Sequence, residues 1–267
     1  MPCYAFCQMV LSAFSLAGSV MRPVEFPSLD RRLGLSIVAF ELGPVEPVDE
    51  QPESPIAGSV LPSELKGMVP KRRAEFLAGR AAAAHALARC GCTTPHAVGR
   101  NPNGSPSWPS GFVGSITHGG GIAAAAVASK TNCLGVGIDA EYLMSPSTEE
   151  EVASLVVTPG EVASAKRALP GVARSSLVTL AFSAKESLYK CLHPLVGTFF
   201  EFQDAELVKV WGTSGAGEFR LKLRRNLADG FRAGWETRGR FSFVEREDER
   251  VNRQTRVHTA IGIETAP

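Results

Sequence analysis

GSITHGGGIAAAAVASKTNCLGVGIDAEYL, residues 114–143, is the stretch whose reading decides this chain. It is largely apolar, and its notable polar groups fall in two knots: Ser115, Thr117 and His118 before three glycines, and Asp139 with Glu141 near the end. Residues 112–117 and 122–128 read as two short strands joined around Gly119, Gly120 and Gly121, and residues 134–138 as a third. The alanines between the knots let neighbouring elements pack closely. In an extended chain alternate residues share a face, so the carboxylates of Asp139 and Glu141 emerge on one side, about 7 Å apart at the backbone. Like charges that close are costly until a cation neutralises them, and two oxygen ligands with no sulfur or imidazole nearby suit Mg2+.

Upstream, residues 71–90 are alanine-rich, free of proline and closed by Gly91, which predicts a helix with Phe76, Leu77, Ala84 and Leu87 on one stripe. Arg80 interrupts that stripe, and a buried arginine wants an anion. Arg72 and Arg73 precede it by about two turns, so the helix offers two grips on a long polyanion. Residues 99–111, GRNPNGSPSWPSG, read as a loop. Downstream, Ser147 with Glu150 and Thr158 with Glu161 predict capping boxes that open two helices. A further helix over residues 177–192, stopped by Pro194, places Glu186 and Lys190 on one face, with Lys185 as a second cation for an anion. DAELVKVW, EFRLKLR, GRFSFVE and TRVHTAIGIE then alternate apolar and polar residues, the pattern of an antiparallel meander. The order of helices and strands suggests an α+β chain in two halves, divided near residues 128–136.

Composition closes off several functions. The chain has 267 residues, with 28 basic against 27 acidic, and its net charge of +1 offers no overall attraction to nucleic acid or a membrane surface. Six cysteines without a CxxC pair and five histidines without HxxxH spacing exclude an ordinary zinc site and read as reduced thiols of a cytoplasmic protein. Residues 1–20 are apolar but carry no Lys or Arg, which an export signal needs, and Met21 is an alternative start. Residues 41–63 read as an irregular connection rich in proline and acids, and nothing approaches the roughly 20 apolar residues of a membrane span. The glycines after His118 match neither GxGxxG nor a Walker loop.

KRRAEFLAGRAA, GSPSWPSGFVGSITHGGG, GVGIDAE and FSAKESLYK, in that order, resemble the 4′-phosphopantetheinyl transferases of the surfactin and enterobactin-synthetase type, and THGGGIAAAAV and HPLVG look most like their proteobacterial branch. The resemblance spans about residues 64–205. It implies two pseudo-symmetric α+β halves, each an antiparallel sheet packed with helices, residues 1–130 and 131–267, with the active site at their interface. It also implies transfer of the phosphopantetheine arm of coenzyme A to a serine of an acyl or peptidyl carrier protein, with release of adenosine 3′,5′-bisphosphate. Asp139, Glu141 and Glu186 would hold Mg2+, Glu186 and Lys190 would be catalytic, and Arg72, Arg80, Ser115, Thr117, His118 and Lys190 would bind coenzyme A. Phe182 stands where many relatives have Trp and Ala140 where many have Ile, and neither change removes a ligand. A monomer is expected, because the two halves supply both walls of the site. The rival readings are a metal-dependent phosphohydrolase acting on a nucleotide or coenzyme A, and a non-catalytic carrier-binding module.

Overall fold

The computed structural model describes residues 22–24, 26–27, 33–42, 67–93, 98–248 and 251–265. The expectations for residues 1–20 and for most of the 41–63 connection lie outside them. Among the described residues three sheets form, all antiparallel. The first has four strands, β1 (Arg22–Pro23), β2 (Ser36–Glu41), β5 (Phe112–Gly119) and β6 (Ile122–Ser129), in the order β1-β2-β6-β5. The second has five, β7 (Cys133–Tyr142), β8 (Ala205–Gly212), β9 (Ala216–Leu223), β10 (Glu236–Asp248) and β11 (Val251–Glu264), in the order β7-β11-β10-β9-β8. The expected meander is there, and its last strand returns to pair with β7. Within the stretch read as a loop, β3 (Gly99–Arg100) and β4 (Pro106–Ser107) pair as a small ladder.

Strand β6 explains the alanine run. Ala125 and Val127 pack with Ala82, Ala83 and Ala86 of helix α1 (Pro70–Arg89), while Ala124, Ala126 and Ala128 pack with Val136, Ile138 and Ala140 of β7. A strand enclosed on both faces cannot alternate with polar residues, and methyl side chains let both neighbours come close. Helix α1 is likewise enclosed nearly all round from Phe76 to Leu87, wider than the single stripe its sequence predicts. At Gly79 an added Cβ would stand 2.9 Å from Ile116, so the helix axis lies tight against β5. The β5–β6 connection is a two-residue turn in which Gly120 and Gly121 both have positive φ, 56° and 71°, with Gly119 paired to Ile122. Tight hairpins need that geometry, and glycine adopts it without strain.

Three helices follow β7: α2 (Pro146–Val156), α3 (Pro159–Ala168) and α4 (Arg174–Val196). The Thr158–Glu161 capping box forms as expected. The other start differs: Ser145, not Ser147, caps α2 by accepting from the Thr148 amide, because Pro146 with its fixed φ takes the first helical position. Helix α4 begins earlier than expected and runs through Pro194 to Gly197, whose φ of 63° ends it. A proline so near the end removes little of the helix ladder, and the left-handed glycine is the true stop. Leu177, Leu180 and Leu188 of α4 belong to the main core, with Phe219, Leu221 and Phe241 of the second sheet. Among the described residues no helix is long and apolar enough to cross a membrane. Cys133 and Cys191 are buried free thiols, and Cys90 and Cys92 are half-buried ones.

Candidate active site

The site begins with glycines. A Cβ on Gly137 would stand 1.8 Å from the carbonyl oxygen of Ser187, and one on Gly135 would stand 2.8 Å from that of Cys191. Helix α4 therefore lies directly on the backbone of β7. Ser183 and Ser187 add hydroxyl contacts to Thr259 of β11, at 2.8 and 2.7 Å. Asp139 and Glu141 project from the same strand, which continues past the predicted end at residue 138, and pair with Thr259 and Val257. On α4, one turn beyond Ser187, Lys190 reaches Asp139: Nζ is 2.5 Å from Oδ1.

From the first sheet, β5 lies beside β7. Ser115 Oγ accepts the Ile138 amide at 3.2 Å, and Thr117 Oγ1 donates to Asp139 Oδ1 at 3.2 Å while accepting from Lys190 at 3.1 Å. Asp139 is thus the hub where both sheets and α4 meet. It is 1% exposed, and its Oδ2 is buried without a hydrogen-bond partner. A buried carboxylate oxygen left unpaired is costly and calls for a further cation.

The neighbouring acids carry the same message. Burial, then the charges of Asp139 and Glu186, push Glu141 up to about 7 even though Lys190 opposes them. Burial and Asp139 likewise raise Glu186, again against Lys190. Three mutually repelling carboxyls with an orphan oxygen fit a hard divalent cation in chemistry. In arrangement the set is open: among the described residues no three His, Cys, Asp or Glu side chains form a group able to hold a metal ion, and the Lys190 ammonium sits on Asp139.

The cations sort into different roles. Arg72 Nη1 lies 3.0 and 3.1 Å from the two ring nitrogens of His118, and 3.5 Å from Glu75. A guanidinium only donates, so His118 receives it as a neutral ring, in keeping with burial and Arg72 lowering the imidazole's affinity for a proton. Arg80 is buried; it donates to the Gly99 carbonyl at 3.3 Å and lies 4.4 Å over the Phe76 ring. Lys185 does not join Lys190 as an anion-binding cation. It is enclosed, 2.8 Å from Glu161, and donates to the Val156 carbonyl at 2.7 Å. Burial alone would raise Glu161, but Lys185 and the Leu207 and Thr158 amides together hold it low.

A cleft of about 830 Å3 opens beside this cluster, between the β4–β5 region and the β7–α4 pair. Ser115 and Lys190 line it, and so do Trp108, Val136, Tyr189 and His193, which fall within the quoted motifs but are given no role there. Its walls come from segments far apart in sequence; that they form one cleft is a property of the fold.

Two family profiles match the chain: the 4′-phosphopantetheinyl transferase N-terminal domain over residues 61–128, and the 4′-phosphopantetheinyl transferase superfamily over residues 135–237. The 4′-phosphopantetheinyl transferase Svp of Streptomyces mobaraensis is 38% identical over 179 residues, covering 62% of this chain and 68% of that protein. The 4′-phosphopantetheinyl transferase Npt of Nocardia iowensis is 38% identical over 159 residues, 58% of this chain and 69% of its own length. Enterobactin synthase component D of Escherichia coli (strain K12) is 41% identical over 120 residues, 45% and 54% of the two chains.

Proposed function

The chain belongs to the 4′-phosphopantetheinyl transferase superfamily, and from that premise we propose that it moves the phosphopantetheine arm of coenzyme A to a serine hydroxyl of an acyl or peptidyl carrier protein. The observation that carries this reading is the convergence on Asp139: Thr117 from one sheet, Lys190 from α4, an unpaired buried Oδ2, and the charges of Glu141 and Glu186 near enough to repel its own. Mg2+ held by Asp139, Glu141 and Glu186 would neutralise charge on the pyrophosphate of coenzyme A. Lys190 would then exchange its hold on Asp139 for a phosphate oxygen. His118 and Arg72 take further phosphate oxygens, and Arg80, midway along the same helix, braces it through the Gly99 carbonyl. Ser115 and Thr117 hold β5 against β7, so that these groups converge.

In the reaction the carrier serine oxygen forms a bond to the phosphorus that carries the pantetheine arm, and the bond to the bridging oxygen breaks. Adenosine 3′,5′-bisphosphate leaves with that electron pair. Glu186, whose basicity is raised by burial, receives the serine proton, and Lys190 offsets charge on the leaving phosphate. The 830 Å3 cleft is where the arm lies, with apolar Trp108 and Val136 on its walls and Lys190 at the phosphate end. In this reading the chain divides into halves at about residues 130 and 131, with the site between them, and works as a cytoplasmic monomer without nucleic acid or membrane.

The test is incubation of the protein with coenzyme A, Mg2+ and a panel of apo-carrier proteins, read by mass spectrometry. The expected result is a carrier that gains one phosphopantetheine group, lost on Asp139→Ala or with chelator. Steady release of the bisphosphate with every carrier left unmodified would replace transfer by hydrolysis. Binding of coenzyme A with no turnover would leave only a carrier-binding module.

A further inference from the structure

We infer that Arg256 of β11 is a positioning residue: its guanidinium locks the β5–β6 turn to the β7–β11 edge and thereby fixes the turn that follows His118 beside the strand that carries Glu141. This rests on the reading of the site given above. Among the described residues Arg256 is the largest fully buried side chain, at 1% exposure. Nη1 donates to the Gly120 carbonyl at 3.2 Å, Nη2 meets Glu41 Oε1 at 2.5 Å, and the guanidinium lies 6.0 Å from the ring centre of Tyr142. Those three partners come from the β5–β6 turn, the end of β2 and the end of β7.

Two of the partners adjoin the site. Gly120 is two residues from His118, and Tyr142 follows Glu141 and pairs with Arg256 itself. A Cβ on Gly120 would stand 3.1 Å from Arg256 Cδ and 3.3 Å from the backbone carbon of Glu141. On Gly119 it would stand 2.2 Å from the Ala140 carbonyl and 3.2 Å from Glu141 Oε1. Turn, arginine and acid strand are therefore in mutual contact, with no side chain between them.

Packing alone does not call for this residue. An apolar side chain would fill the space without the desolvation cost of a buried cation. What a guanidinium adds is a rigid planar fork that reaches two acceptors in different directions, which a lysine cannot reproduce. Its two acceptors both belong to the first sheet, while its own strand belongs to the second. The fork thus sets the approach of one sheet to the other where the turn after His118 meets the Glu141 segment of β7. A misplacement of about 1 Å in such a site costs roughly a hundredfold in rate.

The experiment compares wild type with Arg256→Lys, Arg256→Met and Glu41→Gln. Its readouts are kcat and KM for an apo-carrier protein, and amide hydrogen exchange of residues 117–122 in the substrate-free protein. Arg256→Lys should lower kcat about tenfold or more while leaving the carrier KM near that of wild type. Exchange in residues 117–122 should rise relative to the rest of β5 and β6. Glu41→Gln, which keeps the bond to Gly120, should show both effects more weakly. Should Arg256→Met fail to fold, the lysine and glutamine variants decide the matter. The inference is overturned if Arg256→Lys keeps the wild-type kcat and wild-type exchange in the turn, however far its melting temperature falls. If wild type transfers nothing to any carrier, the functional reading fails, and the exchange comparison still decides whether Arg256 holds the turn.

Discussion

Replacing Glu141 by glutamine is expected to stabilise the metal-free protein at alkaline pH even as it disables the site. Burial and the neighbouring acids raise the Glu141 carboxyl from 4.5 to about 7. The folded protein therefore keeps a proton that the unfolded chain releases. Its stability is full below the unfolded value and is lost as pH climbs from there through the folded value. At about 1.36 kcal/mol per unit, that shift is worth about 3 kcal/mol; partial contact with solvent reduces it to about 2 kcal/mol. Glutamine has nearly the same shape and no charge, so it escapes this cost. In a protein of this size the gain corresponds to a rise in Tm of roughly 4–8 °C. Thermal unfolding in chelator at about pH 8 and about pH 4 should show the difference at the higher pH and little at the lower. A variant no more stable than wild type at high pH, or equally stabilised at both, would refute the reasoning.

Three further outcomes follow from the same contacts. Gly137→Ala places a methyl group 1.8 Å from the Ser187 carbonyl, so α4 must lift off β7; denaturant titration should show a loss of about 3 kcal/mol or more, and transfer should fall with it. Lys185→Met leaves Glu161 enclosed without its cation and should cost about 3–5 kcal/mol in the same titration, much of it recovered by adding Glu161→Gln. His118→Ala removes a group proposed to meet a phosphate but no acid; it should raise the KM for coenzyme A about tenfold while moving the carrier KM far less.

Much of this was legible in the chain because local chemistry and tertiary demand agree. The Thr158–Glu161 box, the paired glycines between β5 and β6, and the alternation of β8 to β10 each name their own structure. Asp139, Glu141, Glu186 and Lys190 stood out because charges are rare in otherwise apolar segments. What escaped was set by distant partners. Arg256 alternates with apolar residues like any solvent-facing strand position, and only the return of β11 beside β7, with Glu41 and Gly120 above it, buries it. Lys185 reads as one of a pair with Lys190, yet helix residues five apart point about 140° from each other, and that angle sends Lys185 into the core toward α3. The alanine run showed close packing but not that β6 is covered on both sides. The acids too are only half legible: their gathering is in the motifs, whereas the Lys190 contact that holds Asp139 is a property of the folded chain.

The account stands on three carboxyl groups sharing one divalent cation. Anomalous diffraction from crystals grown with coenzyme A and Mn2+ tests that directly. The expected result is a single strong peak within about 2.0–2.3 Å of oxygens from Asp139, Glu141 and Glu186, with Lys190 turned from Asp139 to phosphate. A peak that leaves any of the three carboxyls outside its coordination, or none at all with coenzyme A bound in the cleft, would contradict it.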